Sequence, residues 1–223
     1  MDRSPSRRCA WFMVMLVLLA PAAGGGCNVL AAAGYVFHQD NLPPEFADLK
    51  GKRVAVVCRP VLQLEYADTG AAPDLAAVVG ALLAQNVKKI HVVSPSEVAQ
   101  WADEHTWENY TEIGKAVKAD YVIGIDLEQF SLYQGPTLYQ GRSEVHVWVY
   151  DMKDGGKRVW EKKLPPMVFP PNSAVAASER PESDFRRQYI GELAQHIGRI
   201  FYEYDPSDEI CSDARALNSP SGQ

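Results

Sequence analysis

Residues Lys118–Leu164, KADYVIGIDLEQFSLYQGPTLYQGRSEVHVWVYDMKDGGKRVWEKKL, decide how this chain folds. Ala119–Tyr133 opens with a mostly apolar run and sets Ile123, Ile125 and Leu127 on one side, the period-two pattern of a strand. Gly135-Pro136 marks a turn. Ser143–Tyr150 then alternates, with Val145, Val147 and Val149 on one face and His146, Trp148 and Tyr150 on the other. Lys153-Asp154-Gly155-Gly156 supplies a second tight connection, because Asp-Gly and Gly-Gly tolerate the positive φ of a hairpin turn. Arg158–Leu164 returns as a third strand. The stretch therefore predicts an antiparallel three-stranded meander.

Outward from the meander, the flanking sequence supplies its cover. Arg53–Arg59 is a continuous β-branched run with Pro60 just beyond it, as in a strand buried on both faces. Asp74–Val87 places Leu75, Val78, Val79, Leu82 and Leu83 at helical spacing. Lys89–Val93 reads as a further strand, with Ser94 or Ser96 capping a helix that starts at Glu97 and ends near His105. Tyr110–Val117 is a short helix. Pro165–Pro181, with its five prolines, is expected to run as an irregular extended segment. Glu182–Tyr204 is the clearest helix, lining Phe185, Tyr189, Leu193, Ile197, Ile200, Phe201 and Tyr204 along one face. The expected fold is α/β: a two-layer or three-layer sandwich, a mixed sheet with a C-terminal antiparallel meander and covering helices.

The N-terminus reads as an address. Three arginines in residues 1–8 precede the uncharged run Trp11–Ala20 and then Pro-Ala-Ala-Gly-Gly-Gly-Cys, the layout of a secretory signal peptide. The run is shorter than the roughly 20 residues a membrane-crossing helix needs. Ala22–Cys27 resembles the lipobox of bacterial lipoproteins, whose cysteine is acylated. That resemblance implies lipidation at Cys27, and Asn28 after it resembles the outer-membrane sorting class. Cleavage after Ala20-Pro21-Ala22 is the other reading and gives a soluble periplasmic protein. The expected organisation is a signal peptide over 1–26, a lipid-anchored tether over 27–48, a globular α/β domain over 49–204 and a disordered tail over 205–223. Of the other cysteines, Cys58 and Cys211 either pair in an oxidising compartment or stay apart.

Composition excludes some functions. The net charge of −6 becomes −8 once residues 1–26 are removed, because Arg3, Arg7, Arg8 and Asp2 leave 19 basic against 27 acidic residues. With no basic patch, nucleic acid is not an expected partner. None of the five histidines sits in a metal-binding spacing, and GxSxG, P-loop and GxGxxG patterns are all missing. No cofactor and no catalytic residue is assigned.

A family resemblance adds to this reading. Leu49-Lys50-Gly51-Lys52-Arg53-Val54-Ala55-Val56, Ala119-Asp120-Tyr121-Val122-Ile123-Gly124 and Val147–Trp160 resemble a group of bacterial envelope proteins. The group comprises the N-terminal domain of the Tol-system translocation protein, the lipoprotein activator of penicillin-binding proteins and the curli secretion-channel lipoprotein. The resemblance covers about residues 49–204 and implies a partner-binding, non-catalytic envelope protein. A pore is not expected, because Ser143–Tyr150 falls short of the about 9–11 residues of a membrane strand.

Two candidate surfaces follow. Leu132-Tyr133-Gln134-Gly135 recurs as Leu138-Tyr139-Gln140-Gly141, so Tyr133, Gln134, Tyr139 and Gln140 bracket one turn. Tyrosine offers a large, fairly rigid amphipathic contact surface, and simple cross-strand packing is the competing reading. Glu65, Tyr66 and Asp68 lie in the loop 60–73 beyond the first strand, where open α/β sheets hold ligands, so a small-molecule-binding protein or enzyme is the alternative function.

Overall fold

The computed structural model describes residues 41–60 and 70–206. Seven strands form one mixed sheet in the order β2-β1-β3-β4-β5, with β6 and β7 also paired to β4. The strands are β1 (Arg53–Pro60), β2 (His91–Val92), β3 (Tyr121–Tyr133), β4 (Leu138–Asp151), β5 (Lys157–Lys163), β6 (Met167–Phe169) and β7 (Val175–Ala176). Strand β1 runs parallel to β2 and β3, while β3–β4 and β4–β5 are antiparallel. The helices are α1 (Ala71–Asn86), α2 (Pro95–Glu104), α3 (Tyr110–Ala116) and α4 (Glu182–Gly198).

Strand alternation divides the sheet into two faces. Val54, Val56, Ile123, Ile125, Leu127, Val145, Val147 and Val149 point to one side and are buried with α1 and α4. Ala55, Val57 and Val122 point to the other, beneath Val98 of α2 and Tyr110 and Ile113 of α3. The architecture is three-layered where β1 and β3 lie, as two-sided hydrophobicity in Arg53–Arg59 predicts. Asp120, immediately before β3, accepts a hydrogen bond from the Arg53 backbone N–H at 2.8 Å, which helps set the parallel register of β1 on β3.

Several boundaries differ from the expected ones. Strand β4 has 14 residues rather than the eight of Ser143–Tyr150, because Gly141 and the polar residues around it pair with β3 and β6. The length on which a pore is excluded is therefore reached. The apolar side of β4, however, is packed under α4 rather than turned outward. Within Pro165–Pro181, β6 and β7 continue the outer edge of β4 where β5 stops. Helix α4 ends at Gly198, and Ile200 and Phe201 enter the core through tight turns onto Ile197 and Gly198. Helix α2 begins at Pro95, and the Ser94 hydroxyl meets that of Ser96 instead of capping it.

The segment expected to serve as a tether packs onto the domain from Leu42 onward. Leu42 and Tyr204 exchange backbone hydrogen bonds of 2.8 and 3.2 Å, and Phe46 and Leu49 are buried. Phe46 packs edge-on against Tyr121 of β3 and Phe201 just beyond α4, which holds the segment down. No helix among the described residues is long and apolar enough to cross a membrane.

Candidate functional site

The β3–β4 hairpin ends in a turn over residues 134–137, where Gly135 takes φ +80° and the Gln134 N–H donates to the Leu138 carbonyl at 2.9 Å. Tyr133 and Tyr139 are register partners with rings 5.2 Å apart. Their surroundings differ. Tyr139 is buried and stacks on Phe185 of α4 at 5.1 Å and 16°. Tyr133 is 41% exposed, and its hydroxyl donates to the Glu182 carboxylate at the start of α4. That hydrogen bond to an anion pushes the phenol pKa up to about 12.

Gln140 is also buried. Its amide donates to the carbonyls of Pro170 at 3.2 Å and Ser173 at 3.1 Å and accepts from Arg142 at 3.1 Å. It ties the chain between β6 and β7 to β4. Of the four residues that bracket the turn, Tyr139 and Gln140 are thus structural, and only Tyr133 and Gln134 face outward. Leu138, which the sequence reading did not single out, is 38% exposed beside them. Its apolar character at a turn was the available signal.

A second constellation, on the opposite face of the sheet, gathers around Asp126 of β3. Its carboxylate accepts from Arg59 Nε at 2.7 Å, the Tyr110 hydroxyl at 2.7 Å and Trp148 Nε1 at 2.8 Å. Arg59 lies 5.0 Å above the Tyr110 ring and also donates to the Glu108 carbonyl at 3.0 Å. Burial pushes the Asp126 pKa up, but the three donors outweigh it and hold the carboxyl below its ordinary range. Burial, then the hydrogen bond to Asp126, raises the Tyr110 phenol. Both oxygens of Asp126 accept hydrogen bonds, so this cluster cross-links β1, α3, β3 and β4. Sequence spacing carries no hint of it, since its four members are spread over three strands and a helix.

Glu65, Tyr66 and Asp68 lie outside the described residues, as do Cys27 and Cys211. Cys58 is a free thiol, and burial followed by the Asp126 charge raises its pKa, which makes it a poor nucleophile. Beyond Cys58, a cleft of about 460 Å³ opens between α1 and α2. Among the described residues no group of three or more His, Cys, Asp and Glu side chains could hold a metal ion. His105 stacks on Trp101 at 4.7 Å and His146 on Trp148 at 3.9 Å, both packing roles.

No protein-family model matches the chain, and no curated protein does. Solved structures are similar to parts of it. Lipoprotein GNA1162 from Neisseria meningitidis is 12% identical over 65% of this chain and 96% of its own, with a TM-score of 0.40. The LpoB C-terminal domain from Salmonella enterica is 16% identical over 54% of this chain and 87% of its own, with a TM-score of 0.37. TolB from Acinetobacter baumannii is 14% identical over 81% of this chain and 30% of its own, with a TM-score of 0.33. The solved structures similar to this chain include bacterial lipoproteins and TolB.

Proposed function

We propose that this protein is a non-catalytic, lipid-anchored component of the bacterial cell envelope that binds another envelope protein through the end of its β3–β4 hairpin. The observation that carries this reading is the pair of exposed large side chains, Tyr133 and Leu138, at the tip of a hairpin fixed to α4 by Tyr139, Phe185 and Glu182. An aromatic and an aliphatic anchor held rigid before contact lose little conformational entropy on binding. Gln134 adds an amide at the same tip. The lipobox-like Ala22–Cys27 supplies the anchor on the periplasmic side, and Asn28 favours the outer membrane.

The test pairs a surface with a core variant. Tyr133→Ala with Leu138→Ala is expected to lower crosslinking to the partner in cells by about tenfold or more, in a protein that stays folded and loses only the small stability of the Tyr133–Glu182 hydrogen bond and the Tyr133–Tyr139 contact. Tyr139→Ala is expected to cost about 3–5 kcal/mol of stability, the range for emptying a buried aromatic site. Full partner capture by the folded double variant would refute the hairpin surface. Mass spectrometry of the N-terminal peptide reads the anchor separately, through diacylglyceryl and acyl additions on Cys27 or their absence.

A further inference from the structure

The first strand has a free edge set between two helices. The carbonyls of Lys52 and Val54 accept hydrogen bonds from the N–H groups of His91 and Val93, each at 2.8 Å, whereas the Arg53 carbonyl accepts from Asp120 on the β3 side at 2.7 Å. Successive residues of a strand direct their backbone groups to alternate sides. Val56 and Cys58 therefore direct their N–H and C=O groups the same way as Val54, away from β3. On that side, among the described residues, pairing stops at Val54, because β2 is only two residues long and the chain turns into α2 at Pro95. From Val56 to Pro60 about 13 Å of strand edge thus has no partner strand among the described residues.

The cleft between α1 and α2 lies along this edge. Val56, Cys58 and Pro60 form its floor, and the helices turn small side chains to it, Ala72 and Ala76 from α1 and Ala99 and Ala102 from α2. These alanines put little side-chain bulk into the cleft, which Val98 and Trp107 also line. The charged residues lining the cleft are both acidic, Asp74 and Asp103; Asp74 also pairs with Arg186 at 2.6 Å. Pro60 has no N–H to offer, which limits how far a ladder can run along this edge.

The geometry points to a β-strand-addition site: an extended segment of a partner protein, with small or branched apolar residues flanked by Lys or Arg, pairs with Val56 and Cys58 between α1 and α2. Backbone hydrogen bonds supply the affinity in this mode, and alternate side chains, facing α1 and α2 in turn, supply the selectivity. Asp103, with a smaller share from Asp74 beside Arg186, favours basic flanks over acidic ones. The site is separate from the hairpin tip and stands whether or not that surface binds.

The probe is a capped hexapeptide of alternating valine and alanine between terminal lysines, added to the full-length protein. Amide exchange at Val56 and Cys58 is followed by NMR. In the free protein both amides are expected to exchange as unpaired strand-edge groups do, and peptide should slow both by about tenfold or more. Proline at the central position of the peptide, which removes a ladder donor, should weaken binding by about tenfold, and glutamate in place of the lysines by a smaller factor. Ala99→Trp fills the cleft from an exposed position on α2 and should abolish binding while leaving the unfolding temperature unchanged. Slow exchange at Val56 and Cys58 in the free protein would mean the chain itself covers this edge and would overturn the inference. So would equal binding of the proline peptide, or no binding at millimolar peptide.

Discussion

Replacing Asp126 by alanine is expected to lower the unfolding free energy by about 2–4 kcal/mol, chiefly the cost of leaving the buried Tyr110 hydroxyl and the half-buried Trp148 N–H without their common acceptor. The carboxylate is the common acceptor for Arg59, Tyr110 and Trp148, which come from β1, α3 and β4. Arg59 keeps the Glu108 carbonyl and partial contact with water, so its loss is moderate. The Tyr110 hydroxyl has no such escape, since Tyr110 is almost fully buried under α3. An orphaned buried donor costs about 1–3 kcal/mol, and the half-buried Trp148 N–H adds a smaller amount. Against a total stability of about 5–15 kcal/mol this is a large fraction. Asp126→Asn retains one acceptor oxygen and gives up the charge, so it should fall between the wild type and the alanine variant.

The pH dependence follows from the same site. The folded-state pKa of Asp126 lies below its unfolded value of about 3.9, so its contribution is complete above that pH and is lost as pH falls through the folded value. Urea unfolding from pH 7 down to about pH 3 should show the wild-type midpoint dropping below about pH 4. A shallower drop is expected for Asp126→Asn, which has no proton to take up. Identical acid limbs in the two proteins would show that the charge of Asp126 contributes nothing.

The second large effect is expected at Tyr189 of α4. Its ring is buried among Phe130 at 5.4 Å, Phe169 at 6.1 Å and Phe185 at 6.5 Å. It lies flat on Gly141 of β4, where an added Cβ would come within 2.6 Å of the ring. Tyr189→Ala removes the side chain that joins α4 to the sheet and should cost about 3–5 kcal/mol, read as a lower urea midpoint at unchanged m-value. The hydroxyl tells the opposite story. It faces that of Ser143, yet both are buried without a well-formed hydrogen bond. Tyr189→Phe keeps the packing and removes a desolvated polar group, so stability should hold or rise by up to about 1 kcal/mol. A loss of more than that on Tyr189→Phe would mean the hydroxyl is hydrogen-bonded after all. Gly141→Val tests the other half of the contact, since the new side chain must displace the ring, and overpacking of this kind costs about 1–3 kcal/mol.

The duplicated tetrapeptide shows where sequence reading stops. Leu132-Tyr133-Gln134 and Leu138-Tyr139-Gln140 are identical, yet Leu132, Tyr139 and Gln140 are buried while Tyr133, Gln134 and Leu138 are exposed. The two copies meet across an antiparallel hairpin, so one approaches the turn and the other leaves it. Only the position of Phe185 and of the chain between β6 and β7 decides which copy is covered. Asp120, read from sequence as part of a family-like pattern, likewise gains its role from a distant backbone group, the Arg53 N–H.

The sequence by itself determined the meander, the α/β class and the inward faces of β3, β4 and α4, because those rest on periods of two and 3.6 residues that act locally. It also carries the basic-then-apolar N-terminus and the lipobox-like Ala22–Cys27, on which the expectation of export and lipidation rests. Tertiary structure alone decided the Asp126 cross-link, the burial of Tyr139 and Gln140, and the open edge at Val56 and Cys58. Each of these depends on groups far apart in the chain meeting within hydrogen-bond or van der Waals distance, or on a neighbouring strand ending early, and no local pattern encodes either.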